Sequence, residues 1–153
     1  TGVTIADDTY ARLAGHPLVI AVKDALGDLN RGAWLMRETG IKIYSGDDPV
    51  NLPWLAMGAS GIVSVVSHAA AGAYARMVTA VDAGDLATAR SINNQLLPAV
   101  KAMMTHTQGA ITSKAALQLL GVLEHRTMRS PLLEATDEEV AIVRDGLTAS
   151  GLL

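Results

Sequence analysis

The sequence contains no cysteine, which excludes disulfide bonds, thiolate catalysis and cysteine-based metal sites. Charged residues make up only 18% of the chain, no lysine or arginine run occurs, and the net charge of −3 offers nucleic acid no attraction. No apolar stretch reaches the roughly 18 residues that a membrane span needs, and residues 1–10 do not resemble a signal peptide. We therefore expect a soluble, cytoplasmic chain that binds neither nucleic acid nor membrane.

Half of the 153 residues are hydrophobic, which is enough for a domain with a genuine core. Short apolar runs at residues 19–22, 41–44 and 62–65 predict three strands at an almost constant spacing. Such a repeat indicates consecutive βα units and a parallel sheet whose strands are buried on both faces. The helices between the strands carry Trp34 and Trp54 on faces that we expect to pack against this sheet.

The helices in the first part of the chain have recognisable start and stop signals. A helix over residues 7–15 begins with two acidic residues at its positive end. Residues 29–39 predict a helix that Gly40 ends in a left-handed conformation. Asp48 is expected to cap another helix, with Pro49 at its first position.

From residue 67 onward the pattern is helical throughout. Pro98 is expected to kink the second helix, and Thr136 and Glu139 have the spacing of a capping box at the start of the last one. The change of pattern predicts a boundary at residues 84–85. Because three strands alone leave two sheet edges unpaired, we expect the chain to be the C-terminal part of a longer protein. The predicted helices span residues 67–84, 85–106, 110–121 and 136–151.

Polar residues cluster where the predicted strands end. The carboxyl ends of parallel strands lie at one edge of the sheet, which is where βα folds carry functional groups. Lys23 ends an apolar strand, so its ammonium either reaches solvent past the strand end or is desolvated for a purpose. Burial lowers the pKa of a lysine, and the free amine can then attack a ketone to form a Schiff base. The other three lysines lie at the start of a strand or on later helices, so Lys23 alone suits that chemistry.

The remaining polar candidates have ordinary structural interpretations or are undecided. Gly46 would let the backbone approach a ligand closely, and Asp47 beside it has no assigned role. His68 follows the third strand and is interpreted as a cap or a surface histidine. We predict no metal site, because the other histidines lack the spacing of metal ligands. These are His16, His106 and His125.

Lys23 followed by "DALGD", together with "YSGDDPVNLPWLAMGASGIVSV" at residues 44–65, resembles the dihydrodipicolinate synthase family, particularly its actinobacterial members. The resemblance continues to the terminal "SGLL", so it covers essentially this whole chain but only the second half of the family's chain. It implies an α/β fold, the C-terminal part of a TIM (β/α)8 barrel. Residues 1–84 would hold strands six to eight, the last three βα units, and residues 85–153 would form a C-terminal helical domain.

The resemblance also implies a function. Family members condense pyruvate with aspartate semialdehyde on the route to diaminopimelate and lysine, and they need no cofactor beyond the covalent lysine–pyruvate Schiff base. Lys23 matches the lysine that binds pyruvate, Val63 the position whose carbonyl faces the pyruvyl group, and Gly46 a glycine of the same pocket. The family assembles as homotetramers, and Leu29 and Met57 match positions in the tetramer contact.

Two departures from the family leave alternatives open. Leu26 stands where the family usually has a threonine, directly after the three residues Lys23, Asp24 and Ala25. The family's proton-relay residues belong to the half that is not matched, and its carboxylate-binding arginine would directly precede Thr1, so we expect the 153-residue chain alone to be inactive. The alternatives are a related Schiff-base aldolase for another 2-keto acid, as in the neuraminate lyases, and a noncatalytic half-barrel that assembles through its sheet edges.

Overall fold

The computed structural model describes residues 3–153, so Thr1 and Gly2, the expected continuation from the family's arginine, lie outside the described residues. Among residues 3–153, no helix is both long and apolar enough to cross a membrane. The described residues form three strands, β1 (Ala21–Asp24), β2 (Lys42–Ser45) and β3 (Gly61–Ile62). They also form seven helices, α1 (Asp7–Ala14), α2 (Leu29–Thr39), α3 (Asn51–Ala56), α4 (Ser67–Asp82), α5 (Leu86–Met104), α6 (Gly109–Leu119) and α7 (Asp137–Ala149).

The three strands form one parallel sheet in the order β1-β2-β3. This confirms the α/β class and the parallel pairing that the repeat predicted. The strands begin one or two residues away from their predicted starts. Strand β3 has only two residues, because its pairing with β2 ends where Ser45 meets Ile62. No strand follows β3 in the part of the chain that the structure describes.

The chain divides into two compact units, one ending at Val63 and the other running from Ser64 to Leu153. The first unit contains the sheet with α1, α2 and α3, and the second contains α4 to α7. The boundary expected at residues 84–85 concerns the domains of a whole barrel, and it stays a prediction.

The core of the first unit is built from β2 and the helices that pack on it. Trp54 is fully buried in a cluster with Leu35 and Ile43, as predicted. Its indole lies against Gly32, where an added Cβ would come within 3.2 Å of Cζ2 and closer still to two further ring atoms. Trp34 is 44% exposed, so its predicted burial is wrong. The buried face of α2 passes through Gly32 and Leu35, and Trp34 lies about 100° away from Leu35 around the helix.

The prediction that the first strand is buried on both faces is also wrong. Leu18 is 84% exposed and Ile20 is 79% exposed, while Val19 and Val22 are only partly buried against the core. Residues 18–20 precede Ala21, where pairing with β2 begins, and β1 has a strand on one side only. The apolar run in the sequence therefore includes side chains that the described sheet leaves uncovered.

Two predicted helix-end signals, Gly40 after α2 and the capping box of α7, are confirmed. The Asp28 side chain accepts from the Arg31 backbone N–H at 3.0 Å at the start of α2, and Gly40 ends that helix at φ 66°. Thr136 and Glu139 form both hydrogen bonds of the capping box at the start of α7. These motifs succeed because each one is satisfied within a few residues of the chain.

The second unit is a cluster of four helices, and α7 packs closely against α5. An added Cβ at Gly146 would come within 2.8 Å of the Pro98 carbonyl oxygen and closer to Ala102. Helix α5 continues through Pro98, where the Ala99 backbone N–H donates to the buried Ser150 Oγ at 3.0 Å. Ser150 therefore supplies an acceptor beside the proline, which disturbs the hydrogen bonding of its own helix.

Candidate functional site

The carboxyl ends of the three strands lie side by side, and the predicted site residues follow from that register. Lys23 pairs with Tyr44 across β1 and β2, one position before the end of each strand. The Gly46 N–H donates to the Asp24 carbonyl at 2.6 Å, and the Val63 N–H donates to the Ser45 carbonyl at 2.7 Å. Gly46 and Val63 thus extend the ladder by one residue, on the same edge as Lys23.

Lys23 and Gly46 are in direct contact. A Cβ added at Gly46 would lie 2.9 Å from Lys23 Cδ, closer still to Cε, and 2.8 Å from the Asp24 carbonyl oxygen. All of these separations are below any ordinary carbon contact, so no side chain fits at position 46 without a shift. The sequence suggested a close backbone approach at Gly46, and the group that approaches is the Lys23 side chain.

Lys23 lines a cavity of about 460 Å³ in the first unit. Part of the lining comes from the N-terminal segment and from the buried residue Tyr10, neither of which the sequence pointed to. The segment before α1 shows no motif, so nothing local in the sequence places it near residue 23. The lining residues are Val3, Thr4, Ile5, Tyr10, Lys23, Asp24, Ala25 and Leu26.

The Lys23 side chain is exposed within the described structure. The desolvation expected from an apolar strand end is therefore not supplied by residues 3–153. The physical reason is the same as for Leu18 and Ile20, because β1 has a neighbouring strand on one side only.

Asp24 shapes the turn that follows Lys23. Its carboxylate is buried, and Oδ1 accepts from the backbone N–H groups of Leu26 at 2.9 Å and Gly27 at 3.3 Å. Gly27 has φ 72°, a left-handed conformation that suits glycine. Because the turn uses the backbone of Leu26 while its side chain is 55% exposed, leucine at this position leaves the turn intact.

A buried polar network holds the next turn, residues 45–48. Ser45 Oγ donates to Asn51 Oδ1 at 2.6 Å, and Asn51 Nδ2 donates to Asp48 Oδ1 at 2.9 Å. All three residues are at most 3% exposed, so each bond is protected from water. Sequence reasoning missed Asn51, because nothing in the linear pattern marks an asparagine on the first turn of a helix as buried.

Asp48 occupies a slightly different place from the one predicted. It begins a short 3₁₀ turn, Asp48–Val50, which leads into α3, so the helical region starts one residue earlier than expected. Pro49 still lies at the start of that region, where a missing N–H is tolerated. The N-cap position belongs to Asp47, so the predicted position of Asp48 as the cap is wrong. The Asp48 carboxylate accepts from Asn51 and so connects the turn to α3.

Asp47 is electrostatically coupled to the lysine. Burial raises the pKa of its carboxyl above the usual 3.8, the neighbouring charge of Asp48 raises it further, and the Lys23 ammonium acts in the opposite direction. The tertiary structure therefore brings together one amine and two carboxylates at this edge. The described residues contain no group of three or more His, Asp or Glu placed to share a metal ion.

We expect Asp47→Asn to increase the free energy of unfolding at pH 7. A raised folded-state pKa means that the proton on Asp47 contributes stability, which is fully present below the unfolded value near 3.8 and is lost as the pH rises through the folded value. The uncharged amide of the variant avoids that loss of stability, so the variant should be more stable than the unsubstituted protein at pH 7. This difference in the free energy of unfolding should shrink as the pH falls toward 4. Urea unfolding at several pH values measures it, and a lower stability of the variant at pH 7 would contradict it. Asp82→Asn, an exposed carboxylate at the end of α4, is the charge-matched control.

His68 lies in the second unit and has a local role. It is exposed, and its Nδ1 lies 2.9 Å from the Val65 carbonyl oxygen, one turn earlier. This agrees with the interpretation of His68 as a satisfied surface histidine. The contact with Val65 within the second unit supplies no chemical role.

Comparison with known proteins identifies the family. Residues 1–150 match the model of the dihydrodipicolinate synthetase family. The 4-hydroxy-tetrahydrodipicolinate synthases of Kineococcus radiotolerans and Bifidobacterium animalis subsp. lactis are 57% and 47% identical to it, over 99% and 100% of this chain. The chain covers 49% and 50% of those two proteins, and thus spans about half the length of the curated relatives that it matches.

Solved structures show the same relationship. A dihydrodipicolinate synthase from Thermotoga maritima superimposes on the whole chain with a TM-score of 0.91 at 31% identity, and the match covers 53% of that protein. A chloride-inhibited dihydrodipicolinate synthase from Acinetobacter baumannii, complexed with pyruvate, superimposes with a TM-score of 0.92 at 29% identity and 53% coverage. In sequence and in backbone, this chain belongs to the dihydrodipicolinate synthetase family.

Proposed function

We propose that this chain is the C-terminal half of a synthase that condenses pyruvate with aspartate semialdehyde to give 4-hydroxy-tetrahydrodipicolinate. One observation carries the proposal: Lys23 lies across Gly46, at the carboxyl edge of a parallel sheet and beside a cavity. Curated relatives bear the name of that synthase, and the Acinetobacter baumannii relative has pyruvate in its structure.

Lys23 is the proposed nucleophile. Its neutral amine attacks the C2 carbonyl of pyruvate, and the resulting carbinolamine loses water to form an imine. Removal of a proton from the methyl group gives an enamine, whose carbon bonds to the aldehyde carbon of the second substrate while the aldehyde oxygen takes up a proton. The amino group of that substrate then attacks the imine carbon, which closes the ring and releases the Lys23 amine. The Schiff base is the only covalent group required, and the proposed reaction involves no cofactor and no metal.

Gly46 and Val63 are the proposed substrate-binding residues. Gly46 keeps the floor of the site free of a side chain, as the contact with Lys23 requires. The Val63 carbonyl is proposed to face the pyruvyl group, and the preceding peptide unit is held by the hydrogen bond from the Val63 N–H to the Ser45 carbonyl. Asp47 and His68 receive no catalytic role in this proposal.

The rest of the proposed (β/α)8 barrel would complete the environment of Lys23. In this proposal β1, β2 and β3 are barrel strands six to eight, and residues 85–153 are the C-terminal helical domain. The missing strands would cover exposed apolar side chains such as Ile20 and desolvate the amine, which residues 3–153 leave exposed. A homotetramer in the cytoplasm is part of the same proposal, with Leu29 and the partly exposed Met57 in its contact.

Borohydride reduction in the presence of pyruvate tests the proposal directly. We expect a reduced pyruvyl adduct on the peptide that contains Lys23, detected by mass spectrometry of the full-length protein as isolated. The intact mass of the same sample shows whether a whole barrel is present. A full-length protein that forms no adduct would contradict the proposal, and Lys23 would then be a lysine that extends into solvent at a strand end.

The second substrate is tested separately. Turnover of the pyruvate adduct with aspartate semialdehyde would support the synthase, whereas turnover only with other aldehydes would favour a related Schiff-base aldolase. An adduct-free chain that associates through its sheet edges would favour the noncatalytic half-barrel instead.

A further inference from the structure

We propose that Arg31, which lies outside the cavity, is a positioning residue that holds the part of the cavity wall formed by Ile5 and Tyr10 and thereby sets the affinity for pyruvate. The inference rests on the proposed function, since pyruvate is the ligand whose binding it concerns. It assigns a role to a residue on α2, whose own side chain does not line the cavity.

The Arg31 guanidinium connects α2 to the N-terminal segment. Its Nε and Nη2 both lie 2.8 Å from Asp7 Oδ1, and Nη2 also donates to the Ile5 carbonyl oxygen. These contacts cross 24 and 26 residues of sequence. Arg31 is only 16% exposed, so the pairs are better protected from water than an ordinary surface ion pair.

The same guanidinium also holds Tyr10. Its carbon lies 5.3 Å from the centroid of the Tyr10 ring, which suits a cation–π contact. Tyr10 is buried and lines the cavity together with Ile5 and Lys23. One side chain therefore fixes two parts of the wall, the backbone at Ile5 and the ring of Tyr10.

Arg31 is itself firmly placed. It is the third residue of α2, and its backbone N–H is bonded to Asp28, the cap of that helix. The cap directly follows the turn that Asp24 and Gly27 form after Lys23. Arg31, which contacts the N-terminal segment, is therefore only a few residues along the chain from the turn that follows Lys23.

Loosening this wall should change how much pyruvate is needed, and not how much adduct forms at saturation. If only a fraction of the molecules has the wall in place, the apparent dissociation constant rises by the inverse of that fraction. Saturating pyruvate then shifts all molecules to the form with the wall in place. The fraction of the protein that carries the adduct at saturation, which is the limiting extent of trapping, is therefore unchanged. A merely structural defect would instead lower the limiting extent, because part of the protein would be inactive.

The test is borohydride trapping as a function of pyruvate concentration in Arg31→Lys. Lysine keeps the charge but not the planar fork that serves Asp7 and Ile5 together. We expect the half-saturating pyruvate concentration to rise about tenfold, with an unchanged limiting extent of adduct. Arg37→Lys is the matched control, since Arg37 lies on the same helix with a side chain that is 78% exposed and contacts only the adjacent Glu38 among the described ion pairs.

Asp7→Ala is a second variant that leaves α2 and the core untouched. It removes one of the three contacts of Arg31, which are those with Asp7, Ile5 and Tyr10, and we expect the half-saturating concentration to rise about threefold. Asp8→Ala is its control, because Asp8 is an exposed acidic residue of the same first helical turn. If Arg31→Lys fails to fold, this pair decides the question.

The outcomes separate the two proposals. An unsubstituted full-length protein that forms no adduct on Lys23 overturns the proposed function. An adduct that forms with the same half-saturating concentration in the unsubstituted protein, Arg31→Lys and Asp7→Ala overturns only the role of Arg31. A lower limiting extent at an unchanged half-saturating concentration overturns it as well.

Discussion

Replacement of Lys23 by arginine in the full-length protein is expected to abolish the pyruvate adduct and to lower the rate of condensation by on the order of 10³-fold or more. Arginine preserves the length and charge of the side chain, so the contact over Gly46 and the coupling to Asp47 should largely survive. Its guanidinium stays protonated and cannot form the imine. Peptide mass analysis after borohydride reduction measures the loss directly.

Lys42→Arg is the matched control for this variant. Lys42 is exposed at the first residue of β2, at the end of the strand away from the site. The Lys42→Arg protein should therefore form the pyruvate adduct on Lys23 normally. The proposal fails if Lys23→Arg still accumulates the adduct, since another amine would then be the nucleophile. Equal losses in both variants would point to a general effect of the arginine substitutions on folding.

Gly46→Ala is expected to lower the rate of adduct formation by about 10²-fold, because a displacement of the nucleophile by about 1 Å has consequences of that size. The new methyl group would collide with Lys23 Cε and Cδ and would lie 2.8 Å from the Asp24 carbonyl oxygen. The lysine stem must move off the floor of the site, and the hydrogen bond between Gly46 and Asp24 must lengthen. We also expect a loss of about 1–3 kcal/mol in the free energy of unfolding, as for other overpacked sites.

A double-mutant cycle identifies which collision is responsible. In a Lys23→Ala background the contacts with Cδ and Cε are absent and only the carbonyl contact remains, so Gly46→Ala should destabilise the protein less. Gly15→Ala is the control, because Gly15 has φ −79° and an added Cβ would meet its nearest atom at 3.6 Å. An unchanged trapping rate in Gly46→Ala would show that the lysine can react from another position.

The candidate site divides into parts that local sequence could predict and parts that it could not. The position of Lys23 at a strand end and of Gly46 in the next turn follows from strand period and turn residues, which act over a few positions. The network of Ser45, Asn51 and Asp48 did not follow, although its members are only six residues apart. Its formation depends on burial, and burial is a property of what packs over the turn.

The same distinction explains the two tryptophans. Both lie on helices with apolar residues around them, and the sequence pattern predicts burial for both. Trp54 is buried because Gly32 on α2 leaves room for its indole, while Trp34 lies off the face of that helix which meets the core. The periodicity of a helix defines a set of possible faces, and the neighbouring element selects one of them.

The sequence by itself determined the α/β class, the limits of α2, the start of α7, the lysine at the strand end and the family. These features depend on caps, strand period and short motifs, whose interactions close within a few residues. Only the tertiary structure decided that Lys23 lies on Gly46, that Asp47 is coupled to it, and that Arg31 reaches back to Ile5 and Asp7. Those contacts join elements whose relative placement is set by packing, and no spacing along the chain encodes it.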